Sequence, residues 1–122
     1  MDYFCPNQEE GRQLTGETEP RAIADRLHQT GVKTVIVMLG PAGCYVDGPE
    51  GAFSSPGFAV RAVDTTGAGD CFDAAFLAAL CRGHNLQHAA RFANAAGALS
   101  ALGMGGGDSA PTLQRVEEFL QI

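Results

Sequence analysis

The sequence predicts an α/β layered fold with a mainly parallel sheet flanked by helices. Thr34–Met38 is a continuous β-branched and apolar run without alternation, which is typical of a strand buried on both faces of a parallel sheet. Segments with helical spacing alternate with the predicted strands, and this order is typical of layered α/β proteins. With 122 residues, 45% of them apolar, we expect a single domain spanning residues 1–122.

The first half of the chain is punctuated by proline and glycine at the ends of its predicted elements. Pro20 is a typical first helical residue, and Gly16 and Gly31 are typical residues just beyond a helix. Two short runs around a glycine-rich segment predict a small β-hairpin with a loose loop. The predicted elements are a strand at 3–5, helices at 8–14 and 20–29, the buried strand, and hairpin strands at 44–46 and 52–54.

The second half is predicted to be mostly helical. Asn85 is a typical N-cap residue, and the helix that follows it is rich in alanine, as is the helix before it. Small side chains let two helices pack closely against each other or against the sheet. The predicted elements are a strand at 60–63, helices at 70–81, 86–102 and 112–120, and a glycine loop at 103–107.

Charge and composition exclude several classes of function. The net charge is −6 and Lys33 is the sole lysine, so no basic stripe exists to bind nucleic acid. No apolar run approaches the length of a membrane span, and the start has no signal-peptide pattern. The four cysteines are scattered without a Cys-x-x-Cys pair, which favours reduced thiols and a cytoplasmic location.

The segment at 64–70 is the most informative part of the chain. A polar turn meets two glycines, then Asp70, then an apolar run with helical spacing. A helix that starts in a glycine turn leaves backbone N–H groups unpaired, and these groups with the helix dipole bind anions. A carboxylate in such a site repels phosphate, and a role that fits it is to take a proton from an attacking hydroxyl. The alternative is that Asp70 is an N-cap beside a tight turn.

Four stretches together resemble one protein family. Asp64-Thr65-Thr66-Gly67-Ala68-Gly69-Asp70 followed by Phe72 resembles the signature of the ribokinase-like carbohydrate kinases of the phosphofructokinase B (PfkB) type. Residues 6–16, 39–43 and 92–96 are similar to further motifs of that family, in the same order. The resemblance implies a layered ribokinase-like fold. It covers the family's C-terminal ATP-binding and catalytic part, and we expect the N-terminal sugar-binding and lid part to be absent from this chain.

The resemblance implies ATP-dependent phosphorylation of a sugar hydroxyl. Asp70 is the implied catalytic base, and the amides of Gly67, Ala68 and Gly69 are the implied anion hole for the transferring phosphoryl group. The chain has no phosphate-cradling lysine motif, so we expect backbone amides and Mg²⁺ to neutralise the phosphates instead.

Asn7 and Glu10 match the family's Asn-x-x-Glu motif, which implies a role in the network of Mg²⁺ and phosphate. One helical turn separates them, so both can face the same ion through water. Of the two, Glu10 is the residue implied to bind Mg²⁺ through water. The alternative is reciprocal helix capping, because Asn at the N-cap with Glu three residues later is the pattern of a capping box. Both can be true.

Further residues of the nucleotide site are implied by the same resemblance. Gly40 and Gly43 match the turn that runs beside the nucleotide, and Thr66 belongs to the signature. For the two glycines the alternative is a turn that needs glycine dihedrals. Asn94 is implied to lie near the adenine, with solvent exposure as its alternative.

A monovalent cation, K⁺, is also implied beside the anion hole. Oxygen ligands would come from Asp64, Thr66, Ser100, Gly103, Gly105 and Ser109. His84 and His88 have a spacing that can bind zinc, but a third ligand is lacking nearby and a helix boundary falls between them. We therefore predict no zinc site there.

Two other functions stay open from the sequence. The chain can be a non-catalytic nucleotide-binding or assembly fragment, or a relative that phosphorylates a nucleoside. The strands at 3–5 and 34–38 belong to a parallel sheet whose edge would be unpaired here. An unpaired edge with apolar side chains promotes association, so we expect a homodimer or self-association through the sheet edge.

Overall fold

A computed structural model describes residues 2–58, 60, 67–102 and 113–120 of the chain. The chain divides into two compact units, Met1–Ser55 and Pro56–Ile122. The α/β class predicted from the sequence is confirmed. The predicted strand at 60–63 and the glycine loop at 103–107 lie largely or wholly outside the described residues.

The first unit is built on a four-strand sheet in the order β1-β2-β3-β4. Its elements are β1 (Tyr3–Phe4), α1 (Gln8–Thr15), α2 (Pro20–Gln29), β2 (Thr34–Met38), a 3₁₀ turn (Gly40–Ala42), β3 (Gly43–Gly48) and β4 (Gly51–Pro56).

The described sheet is mixed, whereas the sequence favoured a mainly parallel one. β1 and β2 are parallel, and β2 and β3 are antiparallel. A parallel pair needs a long crossover, which α1 and α2 provide between β1 and β2. The 3₁₀ turn between β2 and β3 is too short for a crossover, so β3 runs back along β2. Likewise the hairpin between β3 and β4 turns over Pro49 and Glu50 alone, which is tighter than the expected loose loop.

The core of the first unit lies between α2 and the sheet. Residues 34–37 of β2 are all buried, so the prediction of a strand buried on both faces is confirmed. Ile23 and Leu27 lie on one face of α2, as the helical spacing predicted, and pack against Val35 and Val37. This packing fixes β1 and β2 side by side and thereby sets where their carboxyl ends lie.

The second unit contains α3 (Ala68–Cys81), α4 (Leu86–Ala101) and α5 (Leu113–Leu120). Asn85 caps α4 as predicted, because its Oδ1 accepts a hydrogen bond of 2.8 Å from the His88 amide. α3 packs mainly against α4, whose buried alanines allow close approach. α3 begins at Ala68, two residues before the predicted start. Among the described residues, no helix is both long and apolar enough to cross a membrane.

Candidate active site

The start of α3 is an exposed glycine turn. Gly67 is the N-cap residue, with φ +81° and ψ −1°, and no side chain caps the helix. The first amide of α3 that bonds within the helix is that of Cys71, which donates to the Gly67 carbonyl at 3.0 Å. The preceding amides, of Ala68, Gly69 and Asp70, belong to the helix start that an α-helix leaves without intrahelical partners. This end of α3 therefore offers N–H groups and the positive end of the helix dipole to an anion.

Asp70 is the third residue of α3, and the alternative that it caps the helix is wrong. The cap position belongs to Gly67, whose left-handed φ an aspartate would adopt with strain. Asp70 is exposed in the first turn, beside the amides of Ala68 and Gly69. A carboxylate and a set of anion-binding donors thus share one turn of helix. Its role as a base stays a prediction.

Asn7 and Glu10 form a complete capping box at the start of α1. The Glu10 amide donates to Asn7 Oδ1 at 2.7 Å, and the Asn7 amide donates to Glu10 Oε1 at 2.9 Å. The capping alternative is therefore confirmed. Both residues are exposed, so the Glu10 carboxylate remains accessible to solvent while it caps.

Gly40 and Gly43 adopt conformations that favour glycine, with φ +61° and +105°. The turn between them is closed by the Leu39 amide, which donates to the Gly43 carbonyl at 2.8 Å. The alternative that these two positions need glycine dihedrals for a turn is thus confirmed. The turn follows β2, and Asn7 follows β1 and bridges to Met38. Because β1 and β2 are parallel, the Asn-x-x-Glu motif and the glycine turn emerge at the same end of the sheet.

Asn94 is buried in α4, with 7% of its surface exposed, so the alternative of solvent exposure is wrong, and its place near the adenine stays a prediction. Its Nδ2 donates a long hydrogen bond of 3.4 Å to the carbonyl of Pro56. Ser100, on the same helix, is also buried. The other residues implied for nucleotide or cation binding lie outside the described residues: Asp64, Thr66, Gly103, Gly105 and Ser109.

The predicted site residues thus fall into two sets, one in each unit. The first unit brings together the motif at 7–10 and the turn at 40–43. The second unit brings together the start of α3 and, through α4, Asn94.

A cavity of about 260 Å³ lies where α3 ends and α4 begins, and the spacing of His84 and His88 is the sequence pattern that falls on its lining. The His84 and His88 rings meet in its wall with centroids 4.1 Å apart, and Arg82 pairs with Glu117 at 3.3 Å. Burial lowers the pKa of His88, nearby His84 and Arg91 lower it further, and Glu117 opposes them. Across the described part of the chain, no cluster of three or more His, Cys, Asp or Glu side chains is arranged to hold a metal ion.

Comparison with known sequences gives a consistent family assignment. The pattern that defines the pfkB family carbohydrate kinases matches residues 1–113. The chain is 36% identical over 126 residues to ribokinase of Haemophilus influenzae, covering 99% of this chain and 41% of that protein. The chain therefore spans about two-fifths of the length of this relative.

Solved structures agree with the sequence comparison. Ribokinase of Thermotoga maritima has a TM-score of 0.90 and 39% identity, with 100% of this chain and 43% of that chain covered. Arabidopsis thaliana ribokinase complexed with ribose and ATP has a TM-score of 0.89 and 35% identity, covering 100% and 41%. A ribokinase II from E. coli in complex with ATP and Mg²⁺ has a TM-score of 0.86 and 36% identity, covering 99% and 39%.

Proposed function

Since the chain belongs to the pfkB family of carbohydrate kinases, we propose that residues 1–122 carry the phosphate-handling part of an ATP-dependent sugar kinase. The observation that carries the proposal is the start of α3. There an exposed glycine N-cap leaves helix amides for an anion, and an exposed carboxylate stands in the same turn. Phosphoryl transfer to an alcohol needs both features, a donor array for the transferring group and a proton acceptor for the hydroxyl.

Asp70 acts as the base in this proposal. The proton of the sugar hydroxyl passes to the Asp70 carboxylate while the hydroxyl oxygen forms a bond to the γ-phosphorus of ATP. The bond from that phosphorus to the β–γ bridging oxygen breaks, and ADP leaves. The amides of Gly67, Ala68 and Gly69 hold the negative charge that develops on the transferring group. These donors are fixed by the helix, so they need little reorganisation during the reaction.

Asn7, Gly40, Gly43, Thr66 and Asn94 are the proposed contacts to the nucleotide. Support comes from the placement of Asn7 and the glycine turn at one end of the sheet, and from ATP in two of the related structures. The burial of Asn94 limits its contact to a group that enters beside α4.

The residues present fit Mg²⁺, because this ion prefers oxygen ligands with several waters retained, and Glu10 offers an exposed carboxylate. Glu10, with Asn7 beside it, would hold the ion through water. When bound, Mg²⁺ neutralises phosphate charge. A K⁺ site is proposed from the resemblance, with Ser100 its one member among the described residues, and no step depends on it.

The experiment joins this chain to the N-terminal part of Thermotoga maritima ribokinase and measures sugar-dependent ADP release over pentoses, hexoses and ribosides. We expect turnover with a sugar, and Asp70→Asn should lower kcat by roughly 10²–10⁴-fold while Mg·ATP affinity stays near that of the parent. Asp25→Asn, at an exposed aspartate of α2, is the control and should retain activity. A loss of less than about tenfold for Asp70→Asn would remove it from the role of base.

Calorimetry on the 122-residue chain itself gives a second measurement that does not depend on the chimera folding. We expect weak binding of millimolar Mg·ATP without sugar, because the proposed phosphate site consists of turns within this chain and a closing lid normally adds affinity. The absence of both heat and a shift in melting temperature would contradict a preformed site.

A nucleotide-binding or assembly fragment is the second candidate function. It is favoured by the placement of Asn7 and the glycine turn at 40–43, proposed nucleotide contacts that lie at one end of the sheet within this chain. Binding of Mg·ATP by the chain without ADP release from any chimera would favour this candidate over the kinase.

A further inference from the structure

One face of α4 contacts the chain upstream of the signature motif and, within the motif, at the start of α3. At the upstream side, Asn94 donates to the carbonyl of Pro56, and the Arg91 guanidinium lies over the Phe58 ring with its Cζ 5.3 Å from the centroid. Phe58 is also held from α5, where the Phe119 ring meets it edge to face at 5.0 Å. The Phe58 ring is thus held between α4 and α5.

At the downstream side, α4 passes close to the start of α3. A Cβ placed on Gly97 would lie 3.6 Å from the carbonyl oxygen of Ala68, which is ordinary van der Waals contact. The first turn of α3 is therefore seated on the backbone of α4 at Gly97. A side chain larger than alanine at this position would displace the turn.

The three contacting positions of α4 share one helix face. Arg91, Asn94 and Gly97 are spaced by three residues, and positions three apart are neighbours on a helix surface. The chain between Phe58 and Gly67 contains Asp64 and Thr66 of the motif. A single rigid helix thus holds the points where this stretch begins and ends.

We propose that Arg91 and Phe58 are positioning residues for phosphoryl transfer, acting with Gly97 to hold the start of α3 against α4. The inference rests on the proposed function, because its consequence for activity is the placement of the Gly67–Gly69 amides. Catalytic donors must be held close to the productive geometry, and small displacements far from the reacting atoms cost rate. None of the three residues needs to touch a substrate in this role.

The test on the upstream side uses the 122-residue chain, with hydrogen exchange of the hydrogen-bonded amides in the first turns of α3, at 71–74, as the first readout. Arg91→Ala removes the cation from the ring and should speed exchange at these amides by about two- to fivefold. Phe58→Leu loses the cation–π and the aromatic contact together and should speed it by roughly tenfold. Phe58→Tyr and Arg91→Lys keep the ring and the charge and should restore slow exchange. Arg26→Ala, an exposed arginine of α2, is the matched control.

The downstream side is tested with a pair of variants at one position. Gly97→Ala adds a Cβ in ordinary contact and should leave exchange at 71–74 slow, whereas Gly97→Val adds branches that push on the Ala68 carbonyl and should speed it. The second readout is Mg·ATP affinity, which a purely structural contact would leave unchanged. We expect weaker binding in Phe58→Leu and Gly97→Val at a temperature where both variants are fully folded.

The proposal is overturned if exchange at 71–74 is unaffected by Phe58→Leu and Gly97→Val. It is also overturned if exchange rises uniformly over the whole chain, because the contacts would then contribute only to global stability. If the unmodified chain does not bind Mg·ATP, the proposed nucleotide site is contradicted, and the exchange pattern alone still decides whether α4 positions the start of α3.

Discussion

At the scale of single residues, Gly67 and Gly69 of the signature have different backbone conformations although one residue separates them. Gly67 has φ +81°, whereas Gly69 lies within α3 at ordinary helical dihedrals. Among the described residues, and apart from the chain neighbours and the backbone of α3, no atom lies within 4 Å of a Cβ added at either position, so packing against these residues does not distinguish them. Any difference between their alanine variants must therefore come from the backbone.

We expect Gly67→Ala to lower the free energy of unfolding by about 1–2 kcal/mol, because an L-residue is strained in the left-handed region. Gly69→Ala should raise it by about 0.5–1 kcal/mol, since alanine loses less conformational freedom than glycine in a helix. Urea unfolding of both variants measures the two effects. Equal shifts of the same sign would contradict the assignment of Gly67 as the strained N-cap.

At the scale of elements, the capping box of α1 can be separated from any role in metal binding. Glu10→Gln keeps the acceptor oxygen that bonds the Asn7 amide, because glutamine serves in capping boxes as glutamate does. The substitution removes the charge that would hold Mg²⁺. We expect an unchanged melting temperature together with weaker Mg²⁺ dependence of ATP binding.

Asn7→Ala is the matched variant for this test, because it removes the cap itself. It should cost about 0.5–2 kcal/mol of stability. If Glu10→Gln leaves both stability and the Mg²⁺ dependence unchanged, Glu10 is a capping residue and its place in the Mg²⁺ network is wrong.

The cavity at the end of α3 makes stability depend on pH. The pKa of His88 is lowered from its ordinary value of 6.5, first by burial and then by His84 and Arg91, with Glu117 opposing. The unfolded state therefore binds a proton at a higher pH than the folded state. The contribution of His88 is complete above about pH 6.5 and is lost as pH falls towards its folded pKa.

We expect the melting temperature to fall between about pH 7 and about pH 5, and to fall less in His88→Gln. His84→Gln should also reduce the slope, because it removes one of the neighbouring charges. The comparison uses the difference between each variant and the parent, so other titrating groups cancel. Identical slopes in the parent and His88→Gln would contradict the lowered pKa.

At the scale of the whole molecule, elements with local boundary signals were predictable from the sequence. Asn7 and Gly16 bound α1, and Pro20 starts α2, because caps and turns act through neighbouring residues. The direction of β3 and the burial of Asn94 were not predicted. Each depends on contacts with residues that are distant in the sequence, and the hydrogen-bond partner of Asn94 lies 38 residues away. The predicted start of α3 at Asp70 is two residues late. Gly67, with its left-handed φ, is the N-cap residue, so the helix begins at Ala68.

The edge of the sheet at β1 bears on whether the chain associates with a second copy. β1 is the outer strand of the described sheet, and its Tyr3 side chain is 48% exposed. Leu14 of α1, in the same unit, is 62% exposed. An edge strand presents unpaired N–H and C=O groups, and burying it against a second copy satisfies both these groups and the apolar surface.

We therefore expect the 122-residue chain to form a homodimer or a larger assembly and to release no ADP in response to sugars on its own. Tyr3→Lys places a charge on the edge strand and should shift light scattering towards the monomer, since charged residues block edge pairing. Leu77→Lys, at an exposed leucine of α3 in the other unit, is the matched control and should leave the assembly unchanged. A stable monomer of the unmodified chain at micromolar concentration would reject the association through the edge. Sugar-dependent ADP release by the unmodified chain would show that phosphoryl transfer needs no further part of the fold.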